Sequence, residues 1–445
     1  MSPPARSTAL LTDRYELTML DAALHDGRAD RPCVFEVFTR RLPPGRRYGI
    51  VAGTGRLLEA VADFRFDDDV LGWLDDAAVV SPATLDWLRD YRFAGDIEGY
   101  AEGEVFLPHS PVLTVRGSFA DAVVLETLVL SVLNYDSAVA SAAARMVTAA
   151  AGRQLFEFGS RRANEDAAVA AARAAYVAGF HGTSNLEAGR RYGIPTFGTS
   201  AHSFTLLHDS ESSAFAAQVA ALGPGTTLLV DTYDIEQGLR TALRVAGTEL
   251  GAVRIDSGDL AVEAARARRL LDETGAERTK IVLSGDLDEY RIADLGDAPV
   301  DAFGVGTSVV TGSGAPTAGF VYKLVARGVT ADGPCEPVAK AGGAKATRGG
   351  RKASWRRLRD GHAVAEVIRP HDATPLDGDV RALQVPLIVG GERVAEPDLG
   401  AARERARASL AELGSTGVGL DDGPLAFETV FEDDPGSPAA FEEDT

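Results

Sequence analysis

The sequence predicts an α/β fold in which the middle of the chain forms an irregular parallel α/β barrel and the two chain ends pack on each other. Three observations predict it. After Gly152, short apolar runs alternate with helical patterns, and the run ends fall roughly 16 to 32 residues apart, the size of one strand, loop and helix. Each run finishes in small, polar or charged residues, which a parallel barrel gathers on one rim. The flanking segments lack this rhythm and mix short strands with Gly- and Pro-rich turns.

Residues 1–115 combine strand-like runs at 33–38 and 105–107 with a helical pattern over 53–64, punctuated by Pro43-Pro44-Gly45. From Phe119 the chain turns to long Ala- and Leu-rich helices, and its most apolar stretch, 122–133, is interrupted by Glu126 and reads as a buried helix. The seven barrel runs end at residues 155–159, 179–183, 195–199, 227–231, 252–256, 281–284 and 302–306. Seven rather than eight makes the barrel irregular, and a doubly wound open sheet is the alternative. Beyond Leu324 short strands return, with a basic stretch from 340 to 359. The acidic, breaker-rich end of the chain, 425–445, is expected to be a disordered tail.

With 445 residues the chain has room for two or three domains at roughly 150 residues each. Lys and Arg number 45 against 65 Asp and Glu, a net charge of −20, so the overall field repels nucleic acid and anionic membrane, and neither is an expected partner. An anionic ligand therefore needs a local basic site. Two cysteines, Cys33 and Cys335, cannot build a disulfide framework or a Cys-rich zinc site and suit a reducing compartment. No basic segment leads into an apolar signal core, and no window reaches the roughly 18 unbroken apolar residues of a membrane span, so a cytoplasmic location is expected.

Several run ends carry chemistry. Gly304-Val305-Gly306-Thr307 suits a phosphate, because glycines let backbone N–H groups approach an anion; a tight turn is the plainer reading. Asp231, Asp256 and Asp286 stand at three successive ends, where they could bind a metal, hold ribose hydroxyls or balance developing positive charge. Helix capping is the plainer reading and explains at least one of them, but three at successive ends exceed what capping alone predicts. Arg254 lies inside a strand, on the same face as Asp256, and either pairs with an anion at the barrel mouth or with that aspartate. His202 follows Gly198-Thr199-Ser200-Ala201, which would aim its imidazole into the same mouth, although a lone histidine is more often structural. Arg161 and Arg162 would supply planar forks for phosphate, against simple surface charge. The basic run Lys340, Lys345, Arg348, Arg351, Lys352, Arg356, Arg357 reads as a mobile phosphate-binding loop or as a solubilising stretch.

Six motifs together resemble one family: residues 11–19, Leu-Thr-Asp-Arg-Tyr-Glu-Leu-Thr-Met; 157–163, Glu-Phe-Gly-Ser-Arg-Arg-Ala; 198–204, Gly-Thr-Ser-Ala-His-Ser-Phe; 230–234, Val-Asp-Thr-Tyr-Asp; 254–259, Arg-Ile-Asp-Ser-Gly-Asp; and 304–311, Gly-Val-Gly-Thr-Ser-Val-Val-Thr. In order over about residues 8–400 they are similar to the nicotinate phosphoribosyltransferases, most of all to actinobacterial forms. The resemblance implies a type II phosphoribosyltransferase with an irregular, TIM-like α/β barrel, 116–324, and an α/β sandwich domain formed from both chain ends, 1–115 and 325–415. It implies formation of nicotinate mononucleotide and pyrophosphate from nicotinate and PRPP, a step of NAD salvage coupled to ATP hydrolysis, with Mg²⁺ accompanying PRPP and ATP. By motif matching, His202 would be the phosphorylated histidine, Tyr15, Thr199 and Arg254 would contact nicotinate, and Thr307 would hold a PRPP phosphate. The tyrosine would enter from a neighbouring subunit, which implies a homodimer with shared active sites.

Chemistry assigns the remaining residues. Displacement at the ribose C1 develops positive charge on the sugar and negative charge on the leaving pyrophosphate. Asp256 or Asp286 suits the first, and Arg161, Arg162 or Lys352 the second, with Gly304 and Gly306 opening the backbone to phosphate. A neutral Ser184, where nicotinamide-using relatives tend to carry an acid, favours the acid substrate, and Asn164, where His or Gln is more usual, affects only positioning. The alternatives are a nicotinamide- or other pyridine-using phosphoribosyltransferase, a metal-dependent barrel lyase or aldolase, and a non-catalytic metabolite-binding protein. No lysine stands at a barrel strand end, which argues against a Schiff-base aldolase.

Overall fold

The structure is a computed structural model describing residues 7–330, 333–340, 347–374 and 376–432. Its chain falls into two compact units, Met1–Ser137 with Thr317–Thr445, and Ala138–Pro316. The expected divisions at 115/116 and 324/325 thus lie a little outside the observed ones at 137/138 and 316/317.

In the Ala138–Pro316 unit all strand pairs are parallel, in the order Gly182–Thr183, Gln154–Glu157, Ala302–Val305, Lys280–Leu283, Ala252–Ile255, Thr227–Leu229. A parallel bridge from Thr183 to Thr196 adds the seventh expected run as a single contact. All neighbours in this order but one are consecutive along the chain, and the exception closes the ring: Ala302–Val305 pairs with Gln154–Glu157, Ala302 opposite Gln154 through Val305 opposite Glu157. A doubly wound sheet instead reverses direction at a switch point, so the geometry is that of a barrel left open at one seam, between Thr196 and Thr227–Leu229.

Separate residues cap the helices that follow the strands. Asn164, Asn185, Asp234, Asp259 and Asp288 each accept a hydrogen bond from the first turn of their helix. Capping therefore does not account for Asp231, Asp256 or Asp286, all of which lie between a strand and its cap.

The other unit is built on a seven-stranded sheet, ordered Cys335–Pro337, Phe320–Gly328, Pro32–Thr39, Leu113–Ser118, Asp96–Tyr100, Gln384–Val389, Glu392–Arg393, with antiparallel neighbours throughout. Leu17, Leu20, Leu57, Leu74, Leu88 and Leu128 bring helices into one apolar core with Phe35, Val37, Val115 and Tyr322 of the sheet. The helix Glu126–Ala150 runs on through the division at 137/138. The helical stretch Phe119–Ala150 is long and apolar enough to cross a membrane, yet two thirds of its most apolar window is buried in the protein. Asp136 and Arg145 within it form ion pairs with Arg56 and Glu289. It is a core helix.

A second sheet, Val380–Ala382, Lys352–Arg359, His362–Pro370, Glu428–Phe431, corrects two expectations. The second half of the basic stretch is not a loop: Lys352–Arg359 is a strand, Arg356 lies fully buried against Glu366, Glu104 and Glu412, and Arg351 makes a two-pronged pair with Glu98. Alternating large and polar residues at pairing distance make this a strand despite its charge. Lys345 lies outside the described residues. The expected tail is ordered at its start, because Glu428–Phe431 pairs in parallel with His362–Pro370 and Glu432 binds Arg357 and Arg369; residues 433–445 lie outside the described ones.

Burial holds Glu366 above the usual carboxylate range, opposed by Arg356 and by hydrogen bonds from Ser110 and Tyr100. Arg356→Met is expected to cost about 3–5 kcal/mol, because it strands a buried carboxylate, and urea unfolding followed by circular dichroism checks this. The deficit should shrink as the pH falls through the carboxylate range, since the folded variant favours the protonated acid more than the unfolded chain does. Adding Glu366→Gln should restore much of the loss.

Candidate active site

The parallel order carries all the strand ends of the Ala138–Pro316 unit to one rim. At its centre Arg254 leaves the strand Ala252–Ile255 with its guanidinium held on three sides: Nε donates to Ser284 Oγ at 2.8 Å, Nη1 to Thr199 Oγ1 at 3.3 Å, and Nη2 lies 3.4 Å from Asp256 Oδ2. Arg254 and Asp256 thus share a face and touch, as their spacing predicts. The pair is loose.

Beneath the guanidinium lies the Phe158 ring, with the charged carbon 5.6 Å from its centroid. Phe158 stacks on Phe197 at 6.3 Å and 6°, and Phe197 on Phe156 at 4.4 Å and 19°. Sequence reasoning gave Phe158 no role, although an aromatic residue in the first position past a strand was the signal to notice. Its place explains Gly304, where a Cβ would lie 2.4 Å from the Phe158 ring. Neither Gly304 nor Gly306 has a positive φ; Gly304 lies inside the strand Ala302–Val305, whereas Gly306, at φ −107° and ψ −102°, takes a turn backbone outside the regions that residues with side chains favour. At Gly306 a Cβ would meet only ordinary contact at 3.6 Å, and the exposed Thr307 opens the short helix Thr307–Val310 just beyond it.

His202 begins the helix His202–Leu206. Its Nδ1 is 3.1 Å from Thr232 Oγ1 and its Nε2 4.0 Å from Asp231 Oδ1. The Asp231 side chain is fully buried. Its Oδ2 accepts from the Asp256 N–H at 2.9 Å and from Ser257 Oγ at 2.7 Å, and its Oδ1 has no hydrogen-bond partner. Asp286 is exposed with φ 48°, in a turn where Gly285 passes so close that a Cβ would lie 2.5 Å from the Asp256 carbonyl oxygen.

Arg161 and Arg162 are exposed on the single turn Ser160–Arg162. Glu157, fully buried, anchors that loop: it accepts from the Gly159 N–H and from Thr183 Oγ1, which in turn accepts from the Asn185 N–H, while Asn185 Nδ2 donates to Ser160 Oγ. Burial pushes its carboxyl up, and the bonds from Thr183 and Gly159 oppose that.

Two expected site residues belong to the other unit. Tyr15 is half exposed on the helix Arg14–His25, and burial with the carboxylates of Glu126 and Glu16 pushes its phenol up. Lys352 is corrected as a phosphate ligand: its ammonium is buried and donates to Glu36 Oε2 at 2.8 Å and to the Arg348 and Gly350 carbonyls at 2.9 and 2.8 Å, which uses all three donors. Among the described residues no three His, Cys, Asp or Glu side chains converge to hold a metal ion. A divalent cation carried by substrate phosphates needs only one or two carboxylates, and Asp256 and Asp286 can supply those.

A fixed guanidinium over an aromatic face suits a planar ring bearing a carboxylate, and an imidazole beside a buried carboxylate suits nucleophilic or proton-transfer work. Two family models match the chain: the nicotinate phosphoribosyltransferase (NAPRTase) N-terminal domain over residues 10–134 and the nicotinate phosphoribosyltransferase (NAPRTase) family over residues 153–352. A nicotinate phosphoribosyltransferase of Mycobacterium tuberculosis is 57% identical over 430 residues, 94% of each chain. One from Bacillus subtilis is 37% identical over 330 residues, 72% of this chain and 67% of its own. The crystal structure of human nicotinic acid phosphoribosyltransferase superposes with a TM-score of 0.83 at 26% identity, covering 94% of this chain and 97% of that one.

The Asp231 bonds can be tested directly. Asp231→Ala leaves the Asp256 N–H without its acceptor and is expected to cost about 1–3 kcal/mol, read as a lower thermal transition. Asp231→Asn, which keeps an oxygen there, should lose clearly less.

Proposed function

The chain belongs to the nicotinate phosphoribosyltransferase family, and from that premise we propose that it joins nicotinate to PRPP, forming nicotinate mononucleotide and releasing pyrophosphate, with ATP hydrolysis coupled through phosphorylation of His202. One observation carries the reading: Arg254, held by Ser284 and Thr199 above the Phe158 ring, matches a flat aromatic acid in both charge and shape.

In this reading the nicotinate carboxylate replaces Asp256 as the main partner of Arg254, and its ring lies along Phe158. The pyridine nitrogen attacks the ribose C1 as the bond to pyrophosphate breaks. Asp256 and Asp286 offset positive charge gathering on the sugar, while Arg161, Arg162 and the backbone at Gly304, Gly306 and Thr307 receive the phosphates. Mg²⁺ arriving with PRPP and ATP neutralises phosphate charge. The His202 ring, anchored through Nδ1 on Thr232, offers Nε2 to the γ-phosphorus of ATP; an N–P bond forms, ADP leaves, and water later cleaves the phosphohistidine. Incubating the protein with nicotinate, PRPP, Mg²⁺ and ATP and looking for nicotinate mononucleotide tests the whole reading, with nicotinamide in place of nicotinate as the competing substrate.

Partner contact is proposed as well. Leu10 and Leu11 just before the helix Arg14–His25, and Tyr15 and Met19 one turn apart on it, are exposed apolar side chains, which favours a homodimer in which Tyr15 reaches the site of the other subunit.

Three outcomes are expected. Label from the γ-phosphate of ATP should appear on the wild type as an acid-labile, base-stable adduct and be absent from His202→Ala; equal labelling of the two would sink the assignment. Arg254→Gln should raise the nicotinate KM by about 10- to 100-fold, the equivalent of a lost charge-assisted bond, and leave the PRPP KM nearly unchanged. Mixing Tyr15→Ala with His202→Ala should return ATP-stimulated activity up to roughly a quarter of wild type, since half of randomly exchanged dimers carry one intact site. No recovery despite mass-spectrometric proof of mixed dimers would make Tyr15 a residue of its own subunit.

A further inference from the structure

Behind the rim, in the Ala138–Pro316 unit, lies an ion pair for which the proposed chemistry has no use. Arg145, on the helix Glu126–Ala150, donates from Nε to Glu289 Oε1 at 3.1 Å, with both side chains 2% exposed. Its Nη2 donates to the Tyr290 hydroxyl at 2.9 Å. The other Glu289 oxygen, Oε2, accepts from Ser313 Oγ at 2.6 Å.

Each end of this contact belongs to a different loop of the rim. Glu289 is the first residue of the helix Glu289–Asp294, three positions after Asp286. Ser313 ends the turn that follows Thr307–Val310: its N–H donates to the Ser308 carbonyl, and the Thr311 and Gly312 N–H groups donate to Thr307 and Val309. Ser313 also holds φ 52°, an uncommon value for a residue with a side chain, which its surroundings must support. A carboxylate at a helix start is a common stabiliser. That plainer role needs neither burial nor an arginine from another helix, and a buried ion pair is seldom more stabilising than apolar packing in its place. What such a pair does supply is direction, because one carboxylate fixed by Arg145 sets where Ser313 sits relative to the Asp286 loop.

We propose that Glu289 is a positioning residue for the phosphoribosyl end of the site, holding the Gly304–Thr307 loop in register with Asp286 through Ser313. The proposal rests on the reading of the rim as a PRPP site. Ser313→Gly, which keeps the left-handed backbone and deletes the hydroxyl, and Glu289→Gln are the variants. Calorimetry with PRPP and Mg²⁺ should show Kd raised about tenfold in each, as when a supporting contact is lost, with the nicotinate KM within twofold of wild type. The double variant should be no worse than the weaker single one, since the Ser313 hydroxyl and the Glu289 charge act through the same contact. Amide exchange across residues 304–313 should quicken in both. Unchanged PRPP binding in Ser313→Gly, or equal changes for PRPP and nicotinate, would overturn the positioning role while leaving the function reading intact. A wild-type chain that binds no PRPP would overturn both. Should Glu289→Gln fail to fold, Ser313→Gly decides alone.

Discussion

Pairing between Gln154–Glu157 and Ala302–Val305 is the contact on which the candidate site depends. It sets the last barrel strand against the first, so that the loop bearing Phe158, Arg161 and Arg162 lies next to the one bearing Gly306 and Thr307. The absent side chain at Gly304 lets Phe158 fold over this pairing, and Phe158 in turn gives the Arg254 guanidinium an aromatic floor. A side chain at Gly304 would therefore disturb the strand pair, the ring and the charge together.

Charge on the rim is divided between scaffolding and chemistry. Asn and Asp residues one step further along each loop satisfy the helix starts, which frees the aspartates nearer the strands. Among these, Asp231 is spent partly on structure, since one oxygen holds the Asp256 backbone and Ser257 while the other faces His202. Arg254 is likewise prearranged by neutral hydroxyls and only loosely paired with Asp256, so an incoming carboxylate does not have to break a strong internal bond.

Much of this was legible in the residues. Six of the seven barrel runs appear as strands at the expected places and the run at 195–199 only as a bridge at Thr196, because short β-branched and apolar runs bounded by Gly and Asp leave little choice of conformation. The alternation that placed Arg254 with Asp256 is likewise a two-residue period that the strand preserves. Less local features were hidden. The open seam depends on how the segment around Thr196 packs, and Phe158 is recognisable only once Gly304 is beside it. Lys352 misled because a Gly- and Lys-rich stretch looks solvated until a distant residue, Glu36, removes its ammonium from solvent. The strand Glu428–Phe431 looked like tail because its partner lies about sixty residues away and the sequence on either side of it is acidic.

The order in which the chain is made has a consequence for how it can fold. Pro32–Thr39, buried along nearly its whole length, takes one of its two neighbours from Phe320–Gly328. At typical synthesis rates that neighbour leaves the ribosome roughly 15 to 60 seconds later, after the entire barrel has been made. Until then the nascent chain carries an apolar strand with a bare hydrogen-bonding edge, the kind of surface that recruits foreign strands. Production of this protein should accordingly depend on whatever shields that edge during translation, a chaperone or slow expression in the cold, more than on the stability of the finished fold.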